Sequence, residues 1–346
     1  MFELIDVNDL ASLAKIIDGN LTGENKRFQY ITTDSRRINR DTLFLALLGE
    51  KYDGNDFCET AIEAGAQAYI STKEIINKTG IVVEDTYLAL LKMARYQQQQ
   101  VNPKTLAITG SNGKTTLKEM VAHILDEQES IKTKDNENNQ FGIPFTVLRL
   151  KPETRFLVLE CGARKLGDFD LISEYLKFDV LAITNINNSH IEIFENQTNI
   201  IRTKTKLLDG LRVGGSFIDG AFEDWGTSDK LMEMNQTFRV NVHHNLERDS
   251  DTKPLTENWN CTVVSGQEEG SLPGFFGLSF QQTLSSGSKR FQSPKKMNLG
   301  PRHNCHNALL AILAARELGV KCSESIERMC EFKTPLTNRY LSLIHI

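Results

Sequence analysis

Thr105-Leu106-Ala107-Ile108-Thr109-Gly110-Ser111-Asn112-Gly113-Lys114-Thr115-Thr116-Leu117 is the stretch on which the fold turns. Thr105 to Ile108 reads as an apolar strand, and Thr115 to Leu125 as an amphipathic helix. Between them, Gly110 and Gly113 let the backbone turn so that its amides converge on a phosphate, while the helix N-terminus adds partial positive charge. In that reading Lys114 reaches the β- and γ-phosphates, the Thr115 hydroxyl holds Mg²⁺, and Thr109, Ser111, Asn112 and Thr116 complete the loop. The spacing is shorter than the common GxxxxGK[ST], because Ile108 stands where the first glycine would be. The alternative is a surface glycine turn before a helix; strand, loop, Lys-Thr-Thr and helix standing in order argue against it.

Outward from this loop, further strands are expected at Phe156 to Leu159 and Val180 to Thr184, with helical segments between them. Strand–helix alternation predicts an α/β fold: a mostly parallel sheet with helices on both faces. His303 to Leu318 reads as a helix stopped by Gly319, while 220–298 reads as an irregular, strand-rich insertion. Upstream, strands are expected at Phe28 to Thr32, Thr42 to Leu47 and Gln67 to Ser71. Helices are expected at Phe57 to Ala64 and Thr86 to Gln100, the latter ending in a glutamine run. Pro103 lacks an amide donor, which places the first domain boundary at Val101 to Lys104. The expected domains are 1–100, a small α/β unit; 101–332, the phosphate-loop unit; and 333–346, a linker stub.

The whole chain, 346 residues with a net charge of -5 and 40% hydrophobic residues, has the balance of a soluble globular protein. No basic excess points to nucleic acid and no long apolar run points to membrane insertion. The first residues lack a basic and apolar leader, and six scattered cysteines form no CxxC pair. A cytoplasmic location with reduced thiols is expected.

The phosphate loop, with Thr109 before it and Thr116 after it, resembles that of the Mur ligase family, ATP-dependent amino-acid and peptide ligases of cell-wall precursor synthesis. Thr33-Asp34-Ser35-Arg36, Leu43-Phe44-Leu45-Ala46-Leu47, Gly49 and Asp53-Gly54 resemble the family's N-terminal UDP-sugar domain. Thr133, Asn136, Asn138-Asn139, Gly142 and Pro144 resemble a TxGNxNNxxGxP segment typical of the D-alanyl-D-alanine-adding branch. Glu160-Cys161-Gly162-Ala163, then Thr184-Asn185-Ile186 with His190, Glu192 and Phe194, and finally Gly300, His303-Asn304 and Asn307-Ala308, resemble later motifs of the same branch.

The resemblance implies an N-terminal substrate domain, a central ATPase domain, ATP and Mg²⁺ as cofactors, and UDP-muramoyl-tripeptide and D-alanyl-D-alanine as substrates. It implies activation of a carboxylate as an acyl phosphate, which an amine then attacks. Glu160 and His190 would hold metal. Lys204 maps to a lysine that the family carries as a carbamate; its neighbours Arg202 and Lys206 are expected to lower its pKa, since only a neutral amine reacts. A solvated charge run is the alternative there, and Lys206 stands where the family has Glu. Asn304 and Asn307 would meet adenine or cap their helix, and Arg339 would reach the ATP phosphates. Thr33, Asp34, Ser35, Arg36, Asp53 and Gly54 would engage the UDP-sugar, with Asn136, Asn138 and Asn139 on the muramoyl-peptide side; turns are the plainer reading of both sets. Asn55, Arg40, Asp135 and Asn338 depart from the family pattern.

The family places a Rossmann-like domain after the linker arginine, and this chain stops seven residues past Arg339. Leu341-Ser342-Leu343-Ile344-His345-Ile346 matches nothing in the family and is compatible with translation of a transposon end used in library preparation, so a truncated gene and an inactive fragment are expected. Two alternatives remain: a ligase adding the third amino acid, and a nucleotide-binding pseudoenzyme. Oligomeric state and the third peptide residue are not legible.

Overall fold

The computed structural model describes residues 1–49, 52–125, 128–187, 191–220, 237–244, 256–264, 275–284, 287–292, 297–298 and 304–332. The chain opens on helix α1 (Leu10–Ile17), whose Leu10, Leu13, Ala14 and Ile17 recur at helical spacing and are all buried. Asp9 caps it by accepting from the Ser12 amide, and Asp18 ends it in a left-handed conformation. Strands β1 (Asn20–Thr22), β2 (Tyr30–Thr32), β3 (Thr42–Leu45), β4 (Ala68–Ser71) and β5 (Gly80–Val82) form a sheet of order β1-β5-β4-β3-β2, parallel except for the β1–β5 pair. Helix α2 (Cys58–Glu63) crosses between β3 and β4.

Helix α3 (Thr86–Val101) joins the two halves of the molecule. Asp85 caps it through the Tyr87 and Leu88 amides, and Asn102, in the left-handed region, closes it before Pro103. Its glutamine run divides by helical position. Gln97 and Gln98 are buried, whereas Gln99 and Gln100 face solvent. Gln97 donates to the Leu150 carbonyl at 2.8 Å and accepts from the Ile5 amide at 3.1 Å. Gln98 donates to the Lys177 carbonyl at 2.6 Å and accepts from the Lys177 amide at 3.1 Å. One apolar cluster accordingly runs without a break from Leu4 to Leu207, through α3.

The second sheet holds β6 (Lys104–Thr109), β7 (Ser130–Lys132), β8 (Phe156–Glu160), β9 (Phe178–Ile183) and β10 (Leu211–Asp219), all parallel, in the order β10-β9-β6-β8-β7. The phosphate-loop strand β6 is central and buried on both faces, as parallel strands covered by helices are. Leu106 and Ile108 pack with α4 (Lys114–Ile124), α9 (Asn304–Glu317) and α10 (Cys322–Glu331). Ala107 faces the opposite cluster, with residues of α5 (Gly142–Val147) and α6 (Asp170–Tyr175). Short α7 (Ile191–Phe194) and α8 (Gln197–Thr205) lead into β10.

Beyond β10 the sheet continues through β11 (Thr237–His244), β12 (Thr256–Val264), β13 (Phe275–Leu284) and β14 (Gly287–Gln292), each antiparallel to the last, with β15 (Met297–Asn298) paired to β13. The insertion is strand-rich as expected, and among the described residues its strands pair in a regular antiparallel meander that extends the sheet rather than irregularly.

Candidate active site

Parallel strands deliver the chemistry to one edge: the loops after β6, β8 and β9 meet at their C-terminal ends, where open α/β sheets bind ligands. Gly110 has φ +141° and its missing Cβ leaves room for the Thr184 hydroxyl. Thr184 Oγ1 donates to the Asn112 carbonyl at 2.5 Å. Asn185 Oδ1 accepts from the Ser111 and Asn112 amides at 3.1 and 2.9 Å. Gly113, at φ +82°, caps α4, and a Cβ there would lie 2.9 Å from Asn307 Oδ1. The start of α9 thus seats Asn307 directly over the loop. Asn304, also buried, accepts from Asn307 Nδ2 at 3.4 Å.

Lys114 folds back so that Nζ donates to the Gly110 and Ser111 carbonyls at 2.8 and 3.1 Å. Thr115 Oγ1 donates to Glu160 Oε1 at 3.0 Å, and Asn138 Nδ2 donates to the same oxygen at 2.9 Å. The Thr133 hydroxyl receives the Glu160 amide at 3.0 Å, fixing the strand end. Asn138 thus stands beside the acid and packs against Gly162, whose amide donates to its carbonyl at 2.8 Å. Thr115 and Glu160 present two hard oxygens at the phosphate loop, which fits a Mg²⁺ that takes its other ligands from phosphate and water.

Lys204 is buried, and its Nζ donates to the Gly110 carbonyl at 3.1 Å. Burial first, and the Lys114 charge second, pull its pKa down to about 8. Arg202 and Lys206, the expected cause, do not act here: Lys206 pairs outward with Asp209 at 2.7 Å. His190, His303 and Arg339 lie outside the described residues, as does the 341–346 segment.

Between the two sheets opens a cleft of about 1090 Å³, lined by Thr33, Asp34, Ser35, Arg36 and Gly54 on one side and by Asn139, Gly162, Arg164 and Lys165 on the other. Arg36 grips Asp34 with Nε at 2.8 Å and its terminal nitrogen at 3.0 Å, holding the Asp34 carboxyl down at about 2. Asp53 instead caps the turn at Gly54–Phe57 by accepting from the Asn55 amide at 2.9 Å. Neither Asp53 nor the exposed Asn136 lines the cleft. Asn139 does, and its Oδ1 starts α5 by accepting from the Gly142 amide at 2.9 Å. The Asp168 carboxylate gathers the Arg164 and Lys165 amides at 2.7 and 3.0 Å.

Lys118, Arg164 and Lys165 join the site without having been singled out from sequence. Asn185, part of the Thr184-Asn185-Ile186 motif, follows β9 by two residues and holds the loop through the Ser111 and Asn112 amides.

With this geometry in place, the chain belongs to the Mur ligase family. Residues 27–103 match its catalytic domain and residues 108–315 its middle domain. The UDP-N-acetylmuramoyl-tripeptide–D-alanyl-D-alanine ligase of Bacillus subtilis is 35% identical over 98% of this chain and 69% of its own length. The Escherichia coli ligase of that name is 34% identical over 90% of this chain and 65% of itself. The Haemophilus influenzae one is 36% identical over 60% of this chain and 48% of itself. The chain thus spans about half to two thirds of these curated relatives. Among solved structures, MurF from Acinetobacter baumannii aligns with a TM-score of 0.70 at 26% identity, over 96% of this chain and 70% of that one. A MurF ligase from Thermotoga maritima, in complex with ADP, shares the fold with a TM-score of 0.65 at 21% identity, over 88% of this chain and 66% of that one. No helix among the described residues is long and apolar enough to cross a membrane.

Proposed function

We propose that this chain supplies the nucleotide and UDP-sugar-peptide sites of a cytoplasmic ligase that joins D-alanyl-D-alanine to UDP-N-acetylmuramoyl-tripeptide. The observation that carries the reading is the convergence of Lys114, Thr115, Glu160 and Lys204 on one loop, beside a cleft bearing the Thr33-Asp34-Ser35-Arg36 turn. In that reaction a substrate carboxylate oxygen bonds to the γ-phosphorus of ATP, and the bond to the ADP oxygen breaks. The amine nitrogen of the dipeptide then bonds to the acyl carbon, inorganic phosphate leaves, and the nitrogen sheds a proton. Phosphoryl transfer of this kind is governed by positioning and charge neutralisation.

Each residue has a task in that scheme. The amides of Gly113 to Thr115 cradle phosphate on a loop that Ser111 and Asn112 shape through Asn185, Lys114 exchanges its loop carbonyls for phosphate oxygens, and Asn304 and Asn307 border the base. Arg339 reaches the phosphates from the linker. Thr115, Glu160, Lys204 and His190 are the assigned holders of Mg²⁺, which when bound neutralises phosphate charge. A pKa of about 8 leaves roughly a tenth of Lys204 neutral at pH 7, hundreds of times more than an ordinary lysine. That supports a carbamate on Lys204, because CO₂ adds only to the free amine. Thr33, Ser35, Arg36, Gly54 and Asn139 line the substrate cleft, with Asp34 orienting Arg36; Asp53 shapes the Gly54 turn. Asn138 acts through Glu160, and Asn136 marks the outer edge of the peptide side.

Calorimetry on residues 1–346 tests the reading. Mg·ATP and UDP-muramoyl-tripeptide should each bind, and Lys114→Ala should remove nucleotide binding alone. Failure of the chain to bind either ligand, or equal nucleotide binding by Lys114→Ala, would overturn it.

A further inference from the structure

Lys118 lies one turn beyond Lys114 on α4, on the face that carries Thr115. Its side chain is 1% exposed and its ammonium stands 3.3 Å from Glu160 Oε2, itself on a side chain 2% exposed. Glu160 Oε1 is taken by Thr115 and Asn138, whereas buried Oε2 accepts no hydrogen bond among the described residues. Lys118 is therefore what compensates that oxygen. A second acid, Glu119, lies 3.4 Å from Lys118 and is paired on its other side by Lys132 at 2.5 Å. Lys132, Glu119, Lys118 and Glu160 make a linear chain of alternating charges, two positive and two negative.

We infer that Lys118 is a positioning residue that neutralises Glu160 in advance, so that a divalent cation is held only when nucleotide phosphates arrive with it. The inference rests on the metal-nucleotide reading above. Lys118 pins Oε2, which leaves Glu160 a single oxygen, Oε1, to offer beside the Thr115 hydroxyl. A cation arriving alone meets one hydroxyl and a carboxylate whose charge is already answered by a buried ammonium. Hard cations such as Mg²⁺ dehydrate reluctantly and need net negative charge to stay. Phosphate oxygens at the loop supply it. Lys118 thereby orders the binding of metal after, or together with, nucleotide.

The test uses Mn²⁺, followed by its electron paramagnetic resonance signal, with the full chain. Wild type should hold Mn²⁺ tightly with a non-hydrolysable ATP analogue and weakly without it. Lys118→Met should bind Mn²⁺ without nucleotide at least tenfold more tightly than wild type, and Lys118→Arg should behave as wild type. A residue that merely stabilised the fold would weaken metal binding when removed, never strengthen it. Should Lys118→Met fail to fold, Lys118→Gln carries the same test, since it removes the charge while keeping a polar side chain at that position. Folded variants that bind Mn²⁺ no more tightly than wild type would overturn the inference alone. Absence of Mn²⁺ binding even with the nucleotide analogue would overturn the metal-nucleotide reading and the inference together.

Discussion

Replacing Gln98 by leucine isolates what holds α3 against the second sheet. The amide is 2% exposed and makes three polar contacts: to the Lys177 carbonyl at 2.6 Å, from the Lys177 amide at 3.1 Å and to Thr105 Oγ1 at 3.3 Å. Each such bond is worth about 1 kcal/mol net, and a stranded partner costs more than the bond gave. Leucine is of similar size, so little cavity forms and the polar loss dominates. The expected destabilisation is about 3 kcal/mol. A chain of this size shifts by about 2 °C per kcal/mol, so the melting midpoint should fall by about 6 °C. Gln99→Leu is the control, because the neighbouring side chain faces solvent and exposed changes stay within about 0.5 kcal/mol. Thermal melts followed by circular dichroism compare the two directly. If Gln98→Leu and Gln99→Leu melt within 1–2 °C of each other, the buried amides do not fasten the helix and the argument fails.

Lys114→Ala should weaken Mg·ATP about 100-fold or more through loss of a charge-assisted phosphate contact, with the melting temperature nearly unchanged; equilibrium dialysis checks the affinity and a thermal melt the stability. With its amine free of carbamate, Lys204 has a folded pKa of about 8 against 10.5 unfolded, so the unfolded chain binds more protons between those values and stability contributed by this group rises with pH across that window. Lys204→Met should therefore stabilise the protein more at pH 7 than at pH 10, by a difference on the order of 2 kcal/mol, and urea melts at the two pH values should show it. Arg164 and Lys165 line the cleft and carry no ion pair among the described residues, so Arg164→Glu with Lys165→Glu should cut affinity for the anionic UDP-sugar peptide at least tenfold, and flatten its salt dependence in calorimetry.

The legible parts of the molecule were those with strong local patterns. The strand–loop–helix at 105–125 emerged within one or two residues of its expected bounds, because β6 and α4 are set by continuous apolar spacing and two glycines. Three-residue strands such as β1, β5 and β7 carry too few side chains to show a period, and their existence depends on partners elsewhere in the sheet. The site divides in the same way. Lys114 and Thr115 are local to one motif, but Lys118 reads in sequence as one more helical lysine and acquires meaning only when β8 brings Glu160 to it. The asparagines of 136–139 read alike, yet they part in space: Asn138 turns to Glu160, Asn139 starts α5, and Asn136 is exposed.

Asn307 seated over Gly113 has a bearing on how the chain is made. The loop is spelled out early, yet the helix that covers it is translated nearly 200 residues later. At about 5–20 residues per second that interval lasts on the order of 10–40 s. Through it, the face of α4 formed by Leu117, Met120 and Val121 waits for Leu309, Ile312 and Leu313, its companions in the finished core. The nascent protein therefore exposes an oily helix beside an unfinished loop throughout that interval, and a chaperone that grips short apolar helices on the ribosome would find its foothold there.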